Sequence, residues 1–74
     1  MTANLIAEYV KKGVPARLVA KEISKTIGVN EKTARNKLNG VTAFTIPEAI
    51  EINTKDFGGE FELEYLFAQS AVTV

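Results

Sequence analysis

The chain contains no cysteine and no histidine. Without cysteine there are no disulfides, no thiol nucleophiles and no thiolate metal sites. Without histidine, every catalytic arrangement that moves a proton through imidazole is excluded. A glycine-rich phosphate loop is missing as well, since Gly58-Gly59 stands alone. The acidic set Glu60, Glu62 and Glu64 lacks the loop spacing of a cation site and reads as a solvated face. These absences oppose an enzyme, and no cofactor and no metal are expected. No apolar run approaches the about 18 residues of a membrane span, and the N-terminus lacks the charged and apolar regions of a signal peptide. A cytoplasmic protein with no membrane partner is therefore expected.

Net charge is absent too, because nine basic residues balance nine acidic ones. The balance conceals an asymmetry. Residues 1–40 hold eight basic residues against three acidic ones, a surplus of five positive charges. Residues 41–74 hold only Lys55 against six acidic residues, a surplus of five negative charges. One reading is ordinary solvated helices of mixed charge. The other is a bipolar molecule with a basic face toward phosphates and an acidic face turned away. Tyr9, Phe44, Phe57, Phe61, Tyr65 and Phe67 do not interleave with the basic residues, so core packing accounts for them better than base stacking.

What is present is enough for one small domain. Seventy-four residues at 46% hydrophobic content lie near the lower size at which a core is stable without staples. Leu5, Ile6, Tyr9 and Val10 have the one-sided spacing of a helix that Thr2 or Asn4 can cap and that runs to about Lys12. Gly13 ends it, and Pro15 re-starts the chain in a first helical turn. A second helix is expected from about Ala16 to Ile27, with Leu18, Val19, Ile23 and Ile27 inward.

A third helix follows at once. Gly28 sits where left-handed backbone ends a helix, Asn30 can cap the next one, and Asn39-Gly40 supplies the stop. Only Ala34 and Leu38 are apolar within it, so it is held by one edge and shows a polar side outward. Further on, Thr45 and Glu48 have capping-box spacing for a fourth helix, with Ala49, Ile50 and Ile52, ending near Asn53 or Thr54. Lys55 to Gly59 reads as a loop. Glu60 to Phe67 alternates at first like a strand, but Leu63, Leu66 and Phe67 fit a helical stripe, and a fifth helix is expected. The expected architecture is all-α, a compact bundle of about five short helices. Residues 1–69 form the single domain, and residues 70–74 a flexible tail or, alternatively, a strand pairing with a second subunit.

The run Ile23, Ser24, Ile27, Gly28, Val29, Asn30, Ala34, Leu38 and Asn39-Gly40 resembles the helix-turn-helix of the lambda-repressor/Cro-like (XRE-type) family, with the motif over about residues 16–40. Leu-Glu-Tyr-Leu-Phe at 63–67 resembles that family's last helix. The sequence departs from the family at Ala20, where many relatives carry a glutamine that touches the DNA backbone and braces the recognition helix.

The resemblance implies a sequence-specific double-stranded DNA-binding transcriptional regulator of phage or prophage type, inserting the helix of about residues 30–38 into the major groove. Carried over by position, Glu31, Lys32 and Asn36 face the bases, and Arg35 reaches either a base or a phosphate. Lysine suits guanine, asparagine adenine, and glutamate the cytosine amino group. Asn39, Thr42 and Thr45 fall where relatives contact the backbone, Asn30 and Thr33 lie beside them, and Arg17, Lys21 and Lys37 add charge near phosphates. The implied partner is a DNA operator bound by a homodimer, with a monomer in solution left open and no small-molecule effector. The alternative is a protein-binding adaptor, such as a phage anti-repressor or antitoxin, that uses the acidic C-terminal half.

Overall fold

The computed structural model describes residues 2–68 and 72–73. Five α-helices occur among them: α1 (Ala3–Lys11), α2 (Val19–Ile27), α3 (Glu31–Leu38), α4 (Ile46–Phe57) and α5 (Leu63–Leu66). A 3-10 turn, Ala16–Leu18, precedes α2, and two-residue strands β1 (Phe44–Thr45) and β2 (Val72–Thr73) complete the order. The fold is an all-α bundle, and no helix among the described residues is long and apolar enough to cross a membrane.

Thr2 is positioned as the cap of α1 but does not cap it. Its hydroxyl donates instead to the carbonyl of Leu38, at 3.2 Å, tying the start of α1 to the end of α3. The second helix is shorter than the expected Ala16–Ile27. Pro15 is extended (φ −57°, ψ 144°), and the Leu18 amide donates back to its carbonyl at 2.8 Å, closing a tight 3-10 turn before the α-helix begins. Leu18 consequently points partly to solvent rather than inward.

At the other end of α2, Gly28 takes φ +72°, and the amides of Gly28 and Val29 both donate to the Ser24 carbonyl. A left-handed cap of this kind satisfies end carbonyls that would otherwise be orphaned. Asn30 then accepts from the Thr33 amide at 2.7 Å and opens α3. The capping box of α4 is complete: Glu48 N–H donates to Thr45 Oγ1, and Thr45 N–H donates to Glu48 Oε1.

The fourth helix runs past the expected end at Asn53 or Thr54 and absorbs Lys55, Asp56 and Phe57 from the expected loop. Tertiary contacts explain the extension. Phe57 packs on Tyr9 with ring centroids 4.8 Å apart, and Asp56 accepts hydrogen bonds from Tyr9 and Thr26. The fifth helix is only one turn long, and Glu60 to Glu62 lead into it as loop. That loop is fastened by Asn53, whose buried amide donates to the Phe61 carbonyl at 2.7 Å and accepts from its N–H at 3.3 Å.

The core gathers one side of each helix. Leu5 and Tyr9 of α1, Val19 and Ile23 of α2, Ala34 and Leu38 of α3, Ala49 and Ile52 of α4, and Leu66 are buried around Phe44. Each large side chain so enclosed contributes about 1.5–3 kcal/mol. Ile50, between Ala49 and Ile52 on α4, is half exposed. The tail also departs from its expected flexibility. Val72 and Thr73 pair in parallel with Phe44 and Thr45 of the same chain. Ser70, Ala71 and Val74 lie outside the described residues.

Candidate nucleic-acid interface

Helices α2 and α3 are joined by three residues, Gly28 to Asn30. Because Gly28 turns the chain sharply and Asn30 restarts the helix, α3 leaves α2 at once and packs back on it through Ala34 and Leu38. Both of those side chains are buried, while Glu31, Lys32 and Arg35 are exposed and Thr33 and Asn36 half-buried. At 100° per residue, Lys32 and Asn36 stand opposite the Ala34–Leu38 stripe, and Glu31 and Arg35 lie on its flank. The helix therefore presents two adjoining polar rows.

The flank row is internally paired. Arg35 Nη2 lies 2.6 Å from Glu31 Oε2, with about half of each side chain exposed. Ala20 offers no side-chain hydrogen bond to Glu31, whose charged partner is Arg35. The i, i+4 spacing of the two residues could have shown this pair in the sequence.

The expected phosphate-contacting residues divide into two groups. Arg17 and Asn39 line one shallow groove of about 610 Å³ together with Arg35, and Ile6, Ala20 and Leu38 supply apolar lining. Lys21 and Thr42 are exposed. The ion pairs of the described residues are Lys11–Glu8, Arg35–Glu31, Lys37–Glu48 and Lys55–Glu51, which leaves Arg17, Lys21 and Lys32 outside any of them.

Lys37 differs from the expectation. Its side chain is only 11% exposed, its ammonium lies 3.0 Å from Glu48 Oε1, and it donates to the Ala43 carbonyl at 2.8 Å. It braces the connector after α3 rather than reaching outward. Burial works against ionisation of Glu48, but the Thr45 amide and the Lys37 ammonium outweigh it and hold the carboxyl below its ordinary range. Thr45 and Asn30 likewise spend their side-chain oxygens on caps.

Away from this face lies a second polar cluster. Burial, reinforced by Asp56, pushes the Tyr9 hydroxyl well above the ordinary tyrosine range. Tyr65 donates to Glu8 at 2.6 Å, a hydrogen bond that lowers the Glu8 carboxyl and raises the Tyr65 hydroxyl. These groups lock α1 against α2, α4 and α5. Among the described residues no group of three or more acidic side chains is placed to hold a metal ion. No protein-family model matches the chain, and neither a curated protein nor a solved structure matches it.

Proposed function

We propose that the chain is a sequence-specific double-stranded DNA-binding regulator that places α3 in the major groove. The observation that carries this reading is the outward row of α3. An eight-residue helix seated through Ala34 and Leu38, set after a three-residue turn, carries an exposed Lys32 and a half-buried Asn36 on the side opposite that stripe. Lysine donates to guanine O6 and N7, and asparagine pairs bidentately with adenine N6 and N7. Arg17, Lys21, Asn39 and Thr42 are exposed and add cationic and hydrogen-bonding groups of the kind that hold phosphates. The resemblance of residues 23–40 to the lambda-repressor/Cro-like helix-turn-helix supports the same reading.

A single small domain offers few base contacts, so the operating form is a homodimer on two half-sites about 34 Å apart. Each protomer measures 25 × 23 × 21 Å, a size at which two side by side fit that spacing. The test is an amide NMR titration with a mixed-sequence duplex at low salt. The expected result is a set of shifts concentrated on residues 30–45 that fades as salt rises. If those amides stay in place while the protein remains folded, the reading is wrong.

A second reading, a protein-binding adaptor, draws on Ile46, Ile50 and Tyr65, which lie about 40–50% exposed in the acidic half. It predicts no response of α3 to DNA.

A further inference from the structure

Glu31 occupies the first position of α3, where a carboxylate is electrostatically favoured by the helix dipole but is repelled by DNA phosphates. Its place on a face proposed to meet DNA needs a chemical reason. The structure offers one, because the carboxylate is in contact with the Arg35 guanidinium at 2.6 Å and both groups remain about half exposed. The two side chains form one short row: an acceptor oxygen followed directly by a fork of N–H donors.

A C·G base pair presents the complementary row in the major groove. The cytosine N4 amino donor lies beside the guanine O6 and N7 acceptors. We infer that Glu31 and Arg35 act as a unit that reads a single C·G pair, with the carboxylate accepting from cytosine N4 and the guanidinium donating to guanine O6 and N7. This rests on the reading of α3 as the DNA-reading helix.

Three features support a joint role. First, the carboxylate has spare lone pairs beyond the one that Arg35 uses, and the guanidinium has five N–H groups, so both can hold each other and a base edge at once. Second, the pair keeps the carboxylate neutralised as the protein approaches phosphates. Third, among the described residues the side-chain hydrogen bond of Arg35 goes to Glu31, and the guanidinium stays about half exposed. A T·A pair presents thymine O4, an acceptor, where Glu31 needs a donor, so it is rejected.

The experiment selects bound duplexes from a random-sequence pool with the full chain and with Glu31→Ala and Arg35→Ala. Both side chains are surface-exposed, and an unchanged amide spectrum outside α3 shows that the variants stay folded. The wild type is expected to select a site with one fixed C·G pair in each half-site. Replacing that pair by T·A should weaken its binding roughly 5- to 150-fold. Both variants should lose the preference at that same position and keep the others. The inference is overturned if the two substitutions relax different positions or none. It is also overturned if Arg35→Ala weakens all duplexes alike and reduces the salt slope by about 1, the signature of a phosphate contact. A wild type that selects no site and binds no duplex overturns the DNA-binding reading itself, an outcome distinct from the others.

Discussion

The α2–α3 surface and the inner side of α4 use polar groups in opposite ways. In the half that carries α2 and α3, Arg17, Lys21 and Lys32 stay outside any ion pair of the described residues, and Glu31 and Arg35 pair at the surface. On α4, Lys55 and Glu51 pair at the surface, but Asn53, Asp56 and Glu48 bond to other parts of the chain. Asn53 fastens the loop before α5, Asp56 accepts from Tyr9 and Thr26, and Glu48 joins Lys37 to the cap of α4. Asn53, Asp56 and Glu48, with their first-half partners Tyr9, Thr26 and Lys37, close the fold, while Arg17, Lys21 and Lys32 remain available to the proposed partner. Fold-keeping and recognition are thus separable, and substitutions should affect one without the other.

The largest expected effect is on closure. Phe44 is fully buried, sits edge-on to Phe67 at 5.0 Å and belongs to the strand that β2 joins. Phe44→Ala should cost about 3–5 kcal/mol in chemical denaturation, enough to leave a domain of this size largely unfolded. A loss below about 1 kcal/mol would mean that β1 and the α5 end are not part of the cooperative unit.

Two asparagines divide the comparison cleanly. Asn53→Ala should cost about 1–3 kcal/mol of folding stability by stranding the Phe61 backbone groups, with little change in DNA affinity per folded molecule. Asn36→Ala should do the reverse, costing about 1–3 kcal/mol on a selected duplex while thermal unfolding moves little. If both variants lose stability and neither loses DNA affinity, the division is wrong.

Two cations sharpen it further. Arg17→Ala should lower the slope of log affinity against log salt by about 1. Lys37→Ala should leave the slope unchanged and instead reduce stability, because Glu48 would lose its partner in a nearly buried setting. Equal slopes for the two variants would contradict the assignment of Lys37 to the fold.

The smallest effect is the pH dependence. Glu8 and Glu48 have folded pKa values lowered from 4.5, so their stabilising contribution is present above 4.5 and is lost as pH falls below it. Tyr9 and Tyr65 are raised from 10.0, so theirs is present below 10 and is lost as pH rises above it. Thermal melts should show a plateau between those limits. Glu48→Gln should shallow the acid side, and an unchanged acid limb would show that Glu48 is not a source of it.

The turn between α2 and α3 was largely legible in the sequence because its signals are local. Gly28, Asn30, Ala34 and Leu38 act within one or two turns of one another, and cap chemistry with helical spacing reads them directly. The closing half was harder because its determinants are distant. Lys37 meets Glu48 across the connector, Thr26 meets Asp56 from thirty residues away, and Val72 finds Phe44 through a parallel pairing that no short spacing announces. Local spacing also misjudged the start of α2, since the extended Pro15 and the bond from Leu18 make a 3-10 turn of what reads as a longer helix.

The proposal that Arg17 and Lys21 meet phosphates is tested most directly by fluorescence anisotropy of a labelled duplex titrated with the wild-type chain across a range of salt. Log affinity should fall linearly with log salt, with a slope of roughly −0.9 for each phosphate neutralised. With Arg17 and Lys21 engaged in each protomer, a dimer should give a slope of about −3.6 or steeper. An affinity that stays flat with salt, or no binding at the lowest salt by a folded chain, would contradict the account.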